Sequence, residues 1–102
     1  MISLKPACLK KVKKILSDNV PDCAVMVYGA RAQGKGGPHS YLDLAVMADK
    51  PLGAARLAKL AAAFTAAHLT FRVETVDWTA SGPAFRKEIE RTGVILQPHP
   101  KN

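Results

Sequence analysis

From Gly29 to Ser40 the chain reads GARAQGKGGPHS, four glycines and a proline set between two apolar runs, Ala24–Tyr28 and Tyr41–Ala48. Glycine leaves the backbone unrestrained and proline removes a donor, so this stretch is a loop whose backbone can approach a ligand closely. The runs on either side read as strands, the first buried. Everything else in the chain has to be arranged around a long, glycine-rich connection between two strands.

Ahead of it, Leu9, Val12, Ile15, Leu16 and Asn19 recur at helical spacing. Ser3 is the expected cap, Pro6 falls in the first turn where a missing N–H is harmless, and Pro21 marks the stop. After the second strand, Pro51 is expected to open an alanine-rich helix with Leu57, Leu60, Ala61 and Phe64 as its apolar stripe, ending near 67–69. Phe71–Trp78 reads as a third strand. Ser81 and Pro83 start a last helix, in which Phe85 and Ile89 share a core-facing side, and Gly93 is expected to supply a left-handed stop before a short strand, Val94–Gln97. Trp78 is likewise expected in the core, and Tyr28 at the strand end. The tail from Pro98 is expected to fray. The order helix, strand, loop, strand, helix, strand, helix, strand predicts an α/β (α+β) fold: a small mixed sheet of about four strands with helices packed on it.

The 102 residues are 48% apolar and 23% charged, which excludes a disordered or fibrous chain and points to one domain over residues 1–102. So short a chain buries about two-thirds of its unfolded surface, and a deep site is expected to borrow a wall from a partner or a second copy. The net charge of +7 favours acidic partners. Cys8 and Cys23 read as reduced thiols of a cytoplasmic protein, His39, His68 and His99 lack metal-ligand spacing, and no segment reads as a leader or a membrane span. Lys10, Lys11, Lys13 and Lys14 face away from the apolar side of the first helix, either as a solvated surface or as a grip for phosphates or an acidic protein.

The loop spacing from Gly29 to Lys35 matches the GxxxxGK of a P-loop, but Gly36 stands where a magnesium-binding hydroxyl is needed and Gly37-Pro38 forbids the following helix. The second strand is more informative. Tyr41, Asp43 and Ala45 share one face and Leu42, Leu44 and Val46 the other, so Asp43 is a carboxylate in an apolar strand and calls for compensation by a bonding partner or cation. Glu74 repeats the pattern. If the two strands adjoin, Asp43 and Glu74 converge below the glycine loop as hard oxygen ligands beside a phosphate-binding backbone. Arg31 and Lys35 are candidate anion contacts in the loop, as is Arg72, which can also pair with Glu74. His39 is a weaker loop candidate, and Asp77 a strand-end cap.

With these segments the chain resembles the minimal nucleotidyltransferases (MNT) of the DNA polymerase beta superfamily. GARAQG from Gly29, SYLDLAV from Ser40, VETVDW from Val73 and FRKEIERTGVIL from Phe85 follow the family order and spacing. The resemblance implies that Gly29, Ala30, Arg31, Gly34 and Ser40 occupy the nucleotide-binding positions. It also implies that Asp43 and Glu74 occupy the catalytic and metal-binding ones, with ATP and Mg²⁺ as the cofactors. Three positions depart from the pattern: Ala30 replaces the phosphate-contacting serine, Gln33 the second arginine, and Tyr41 the first of two metal-bridging aspartates.

Paired Mg²⁺ ions sit about 4 Å apart in such sites and need the negative charge that Tyr41 removes, since a phenol with pKa near 10 is neutral at pH 7. The expectation is therefore a degenerate site, inactive or impaired, with nucleotide and metal binding weakened or lost. Members of the family pair with a small helical HEPN-domain protein as antitoxin and toxin, and active members transfer AMP from ATP to a partner tyrosine. The resemblance thus implies a HEPN-type protein partner or a homo-oligomer. An active Mg²⁺-dependent nucleotidyltransferase and a basic nucleic-acid-binding module are the alternatives.

Overall fold

The computed structural model describes residues 2–100. The elements are α1 (Pro6–Asn19), β1 (Ala24–Tyr28), β2 (Leu42–Met47), α2 (Ala54–Ala66), β3 (Val73–Asp77), a 3₁₀ turn (Trp78–Ala80), α3 (Pro83–Thr92) and β4 (Val94–Gln97). Residues 98–100 lie outside any element, and 101–102, the end of the expected frayed tail, lie outside the described residues. The strands form one mixed sheet in the order β3-β2-β1-β4, with β1 antiparallel to both β2 and β4, and β2 parallel to β3. The expected mixed α/β architecture is the one observed.

The alternation in β2 divides the sheet into two faces. Leu42, Leu44 and Val46 join Val25 and Val27 in the larger core, closed by Val12 and Leu16 of α1 and Leu60 and Phe64 of α2. The opposite face has a smaller cluster of Tyr28, Ala45 and Ile89, with Met26, Val76 and Trp78 partly buried against it. α2 connects the parallel pair β2 and β3, because parallel neighbours cannot be joined by a tight hairpin. This crossover carries the chain back to the starting end of the sheet, and Glu74 comes to lie opposite Asp43.

Several local expectations are corrected. Ser3 does not cap α1: Lys5 holds the cap position without a side-chain bond, and the Ser3 hydroxyl instead donates to the Gly36 carbonyl at 2.9 Å. Pro51 does not open α2, which begins at Ala54 after Gly53 turns the chain at φ +90°. Of its expected stripe only Leu60 and Phe64 are buried, while Leu57 is half-buried and Ala61 exposed. The third strand is shorter than Phe71–Trp78: it leaves out Phe71 and Arg72 at its start, and at its end Asp77 accepts from the Thr79 N–H and turns the chain into the 3₁₀ segment. Phe85 is exposed and not in the core, although its ring meets Tyr28 edge-on with centroids 5.8 Å apart.

Gly93 is not left-handed either. Its φ of −67° is open to any residue, but a Cβ there would come within 2.6 Å of the Ile89 carbonyl oxygen and 2.5 Å of the Met26 methyl. The Ile89 carbonyl in the last turn of α3, together with the Met26 side chain of β1, and not a positive φ, is what excludes a side chain at this position.

Candidate functional site

The site lies where β1 ends in the glycine loop. Tyr28, the last residue of β1, is directly opposite Asp43 in the antiparallel register, and Asp43 is directly opposite Glu74 in the parallel one. Three side chains from three adjacent strands therefore point to one face of the sheet, as period-two alternation requires. Burial, and secondarily the Glu74 charge, push the Asp43 carboxyl above its ordinary range. The same burial, with Asp43 and Glu74 beside it, pushes the Tyr28 phenol up to about 12, so it stays protonated beside the two acids. Tyr28 was expected only to pack. The signal for more was its place one residue before Gly29, in phase with Asp43 across a hairpin pair.

Above these residues the chain turns sharply. Gly29 has φ +76°, and a Cβ there would meet Asp43 Oδ2 at 3.0 Å, so glycine permits both the turn and the approach of the backbone to the carboxylate. Its N–H donates to Thr92 Oγ1 at 3.0 Å, which ties the loop to the end of α3. Gly34, at φ +72°, completes the turn with its N–H directed to the Arg31 carbonyl. Lys35 N–H closes on the Ala30 carbonyl at 3.0 Å. Ala30 and Gln33 are exposed.

Arg31 is buried beneath this turn. Its guanidinium donates to the carbonyls of Ser40 at 2.9 Å, Ser3 at 2.6 Å and Pro38 at 3.1 Å, and stacks 4.2 Å from the Phe71 ring centroid. The donors proposed for an anion are thus committed to backbone carbonyls, two in the loop and one in the segment ahead of α1. Gly36 packs on the same side chain, where a Cβ would come within 2.7 Å of Arg31 Cγ. Ser40 Oγ accepts from the Gly37 N–H at 2.9 Å and closes the loop's far end. Ser3 and Thr92, the two anchors outside the loop, carried no local signal, because each acts across more than 25 residues of sequence (28 from Ser3 to Arg31, 63 from Thr92 to Gly29).

Tyr41 is 52% exposed, just outside β2, and the Arg72 guanidinium lies over its ring at 5.8 Å. Arg72 Nε also pairs with Glu74 Oε1 at 2.9 Å, so the alternative role foreseen for Arg72 is realised. His39 is exposed and its ring nitrogen approaches the Thr70 carbonyl, not the turn. Asp77 caps as expected, accepting from the N–H groups of Thr79 and Leu52.

Of the acids that the resemblance places in the site, Asp43 and Glu74 are brought side by side in register. Burial and Glu74 raise the Asp43 carboxyl, Glu74 is engaged by the Arg72 guanidinium, and the same guanidinium lies over the ring of Tyr41. Among the described residues no group of three or more His, Cys, Asp or Glu side chains is placed to hold a metal ion.

Residues 10–101 match the family model described as polymerase beta, nucleotidyltransferase. The chain belongs to the minimal nucleotidyltransferases of that superfamily. It is 35% identical over 100 residues to the Haemophilus influenzae protein named probable protein adenylyltransferase MntA, spanning 98% of this chain and 88% of that one. Among solved structures, a toxin–antitoxin complex with AMP-PNP superposes with a TM-score of 0.74 at 27% identity, over 86% of this chain and 71% of that one. A minimal nucleotidyltransferase gives a TM-score of 0.70 at 26% identity, over 86% and 91%. The MNT antitoxin bound to a tri-AMPylated HEPN toxin of Shewanella oneidensis shares the fold, with a TM-score of 0.71 at 22% identity over 91% and 71%. No helix among the described residues is long and apolar enough to cross a membrane.

Proposed function

We propose that this minimal nucleotidyltransferase has a degenerate catalytic site and acts by binding a protein partner, as an antitoxin toward a HEPN-type toxin. The observation that carries this reading is the replacement of a bridging carboxylate by Tyr41, whose ring packs against Arg72 and so places positive charge beside the site where metal charge would have to be held. Ala30 removes a hydroxyl from the phosphate turn, and Arg31 shapes the turn from beneath. The toxin–antitoxin assembly seen in a relative at 27% identity supports a protein partner. The net charge of +7 suits an acidic face on that partner.

The second reading is an active Mg²⁺-dependent nucleotidyltransferase that moves AMP from ATP to a protein. The registered pair Asp43 and Glu74 and the 35% identity to the protein named probable protein adenylyltransferase MntA favour it. Incubation of the protein and a HEPN-type partner with labelled ATP and Mg²⁺ separates the two. The degenerate-site reading expects no transferred label, and expects Ala30→Ser with Tyr41→Asp to raise Mg²⁺ and ATP affinity measured by calorimetry. Robust labelling that disappears in Asp43→Asn establishes the enzyme instead.

A further inference from the structure

The two edges of the sheet differ in character. β3 carries Glu74 and Asp77 and is preceded by Arg72, the kind of charge that discourages pairing with another chain. β4 has no ionisable residue: it reads Val94-Ile95-Leu96-Gln97, with Val94 39% and Ile95 51% exposed, and as the last strand of the sheet it pairs, among the described residues, only with β1. An apolar edge with open main-chain groups is a template for one more strand.

The lysine face of α1 runs beside this edge. Lys13, Lys14 and Ser17 form, with Leu96, Gln97 and Pro98, the walls of a surface groove of about 410 Å³. Lys14 is paired with Asp18 at 3.1 Å, whereas Lys10, Lys11 and Lys13 have no ion-pair partner among the described residues. The sides of β4 are unlike. Leu96 belongs to the core under α1, and Ile95 is opposite Met26 on the other face. A strand added here would present alternate side chains to the lysines on one face and to Ile95 on the other.

We propose that the outer edge of β4 and the lysine face of α1 form a docking surface for an extended protein segment in which acidic and apolar residues alternate, taken up as a fifth strand. This rests on the partner-binding reading above and specifies the surface and the partner chemistry, using no residue of the Asp43 pocket. Protein is favoured over nucleic acid because the side chains of Val94 and Ile95 offer nothing to a phosphate backbone and no aromatic side chain lines the groove for base stacking.

The test is a titration of the isotope-labelled full chain, followed by amide spectra. The probes are a short peptide of alternating Val and Glu, a matching peptide of alternating Val and Lys, and an oligo(dT) strand. The expected result is movement of the Val94–Gln97 amides with the acidic peptide, bound about tenfold more tightly than the basic one, since several partly exposed charge pairs each contribute a fraction of a kcal/mol. Lys13→Glu with Lys14→Glu should invert that preference, and Ile95→Asp should weaken acidic-peptide binding in a chain whose spectrum remains folded. Unmoved β4 amides, or a charge reversal that changes nothing, overturns the proposal. Oligo(dT) binding that moves only the α1 amides assigns the lysines to nucleic acid and overturns it too. Label transfer from ATP would refute the degenerate site without altering these spectra, so the two failures are distinguishable.

Discussion

Arg31 is 4% exposed, yet it takes part in none of the ion pairs among the described residues; three backbone carbonyls and the Phe71 ring accommodate its charge. Removing the guanidinium would leave those carbonyls without their donors, and hydrogen bonds to charged groups contribute about 1.5–3 kcal/mol each. Arg31→Ala should therefore destabilise the fold by about 3 kcal/mol or more in urea unfolding, and Arg31→Lys should restore only part, because a single ammonium cannot span the guanidinium's fork. The residue type and the loop position were legible in the sequence, but the direction of the side chain was not, because Ser3, which receives one of its bonds, is 28 residues away. Asp43 gives a prediction with a sign. Its carboxyl is raised above 3.8 by burial and by Glu74, so the folded state holds the proton more tightly than the unfolded chain. The favourable contribution is complete below the unfolded value and is lost as pH rises through the folded one. Asp43→Asn should then raise the Tm relative to the parent at pH 7, and the advantage should vanish on acidification below about 3.8.

At the scale of elements, the α3–β4 junction shows how one glycine can be required for a reason other than its dihedrals. The Ile89 carbonyl belongs to the α3 backbone and cannot move aside, whereas the Met26 methyl ends a flexible chain. Gly93→Ala should cost about 1–3 kcal/mol as overpacking, and adding Met26→Ala should recover only a part, as thermal melting would show. The strands β1 and β4 were legible to the residue, because each is a short apolar run bounded by Pro, Gly or a turn. The start of α2 was not, since Pro51 offers a conventional first-turn signal while the actual entry is set by Gly53 at φ +90°. β3 was read too long at both ends: Phe71 and Trp78 continue the β-type composition, but the strand begins at Val73, and the Asp77 side chain captures the Thr79 N–H and ends it.

Across the whole molecule, a charge of +7 is spread over a surface with only four ion pairs among the described residues, none of them buried. Exposed pairs contribute little, so net self-repulsion outweighs them. Added NaCl shortens the screening length to about 10 Å at 0.1 M, and should raise the Tm from its low-salt value, most of the gain arriving by that concentration. A fall in Tm with salt would show that the ion pairs dominate. The same unbalanced charge is unevenly placed, with the lysines of α1 beside an apolar sheet edge and the acids Asp43 and Glu74 meeting on one face of the sheet.

By itself the sequence determined the order of the elements, the two faces of β2, the glycine loop and the identity of the residues around it, since all of these follow from local periodicity and backbone freedom. Only the tertiary structure decided that Glu74 meets Asp43 in register, that Tyr28 stands beside them, that Arg31 faces inward and that Arg72 covers Tyr41. Those relations depend on the crossover through α2 and on bonds between residues far apart in the chain. They are settled by which surfaces can be buried together, a condition that no local stretch of sequence contains.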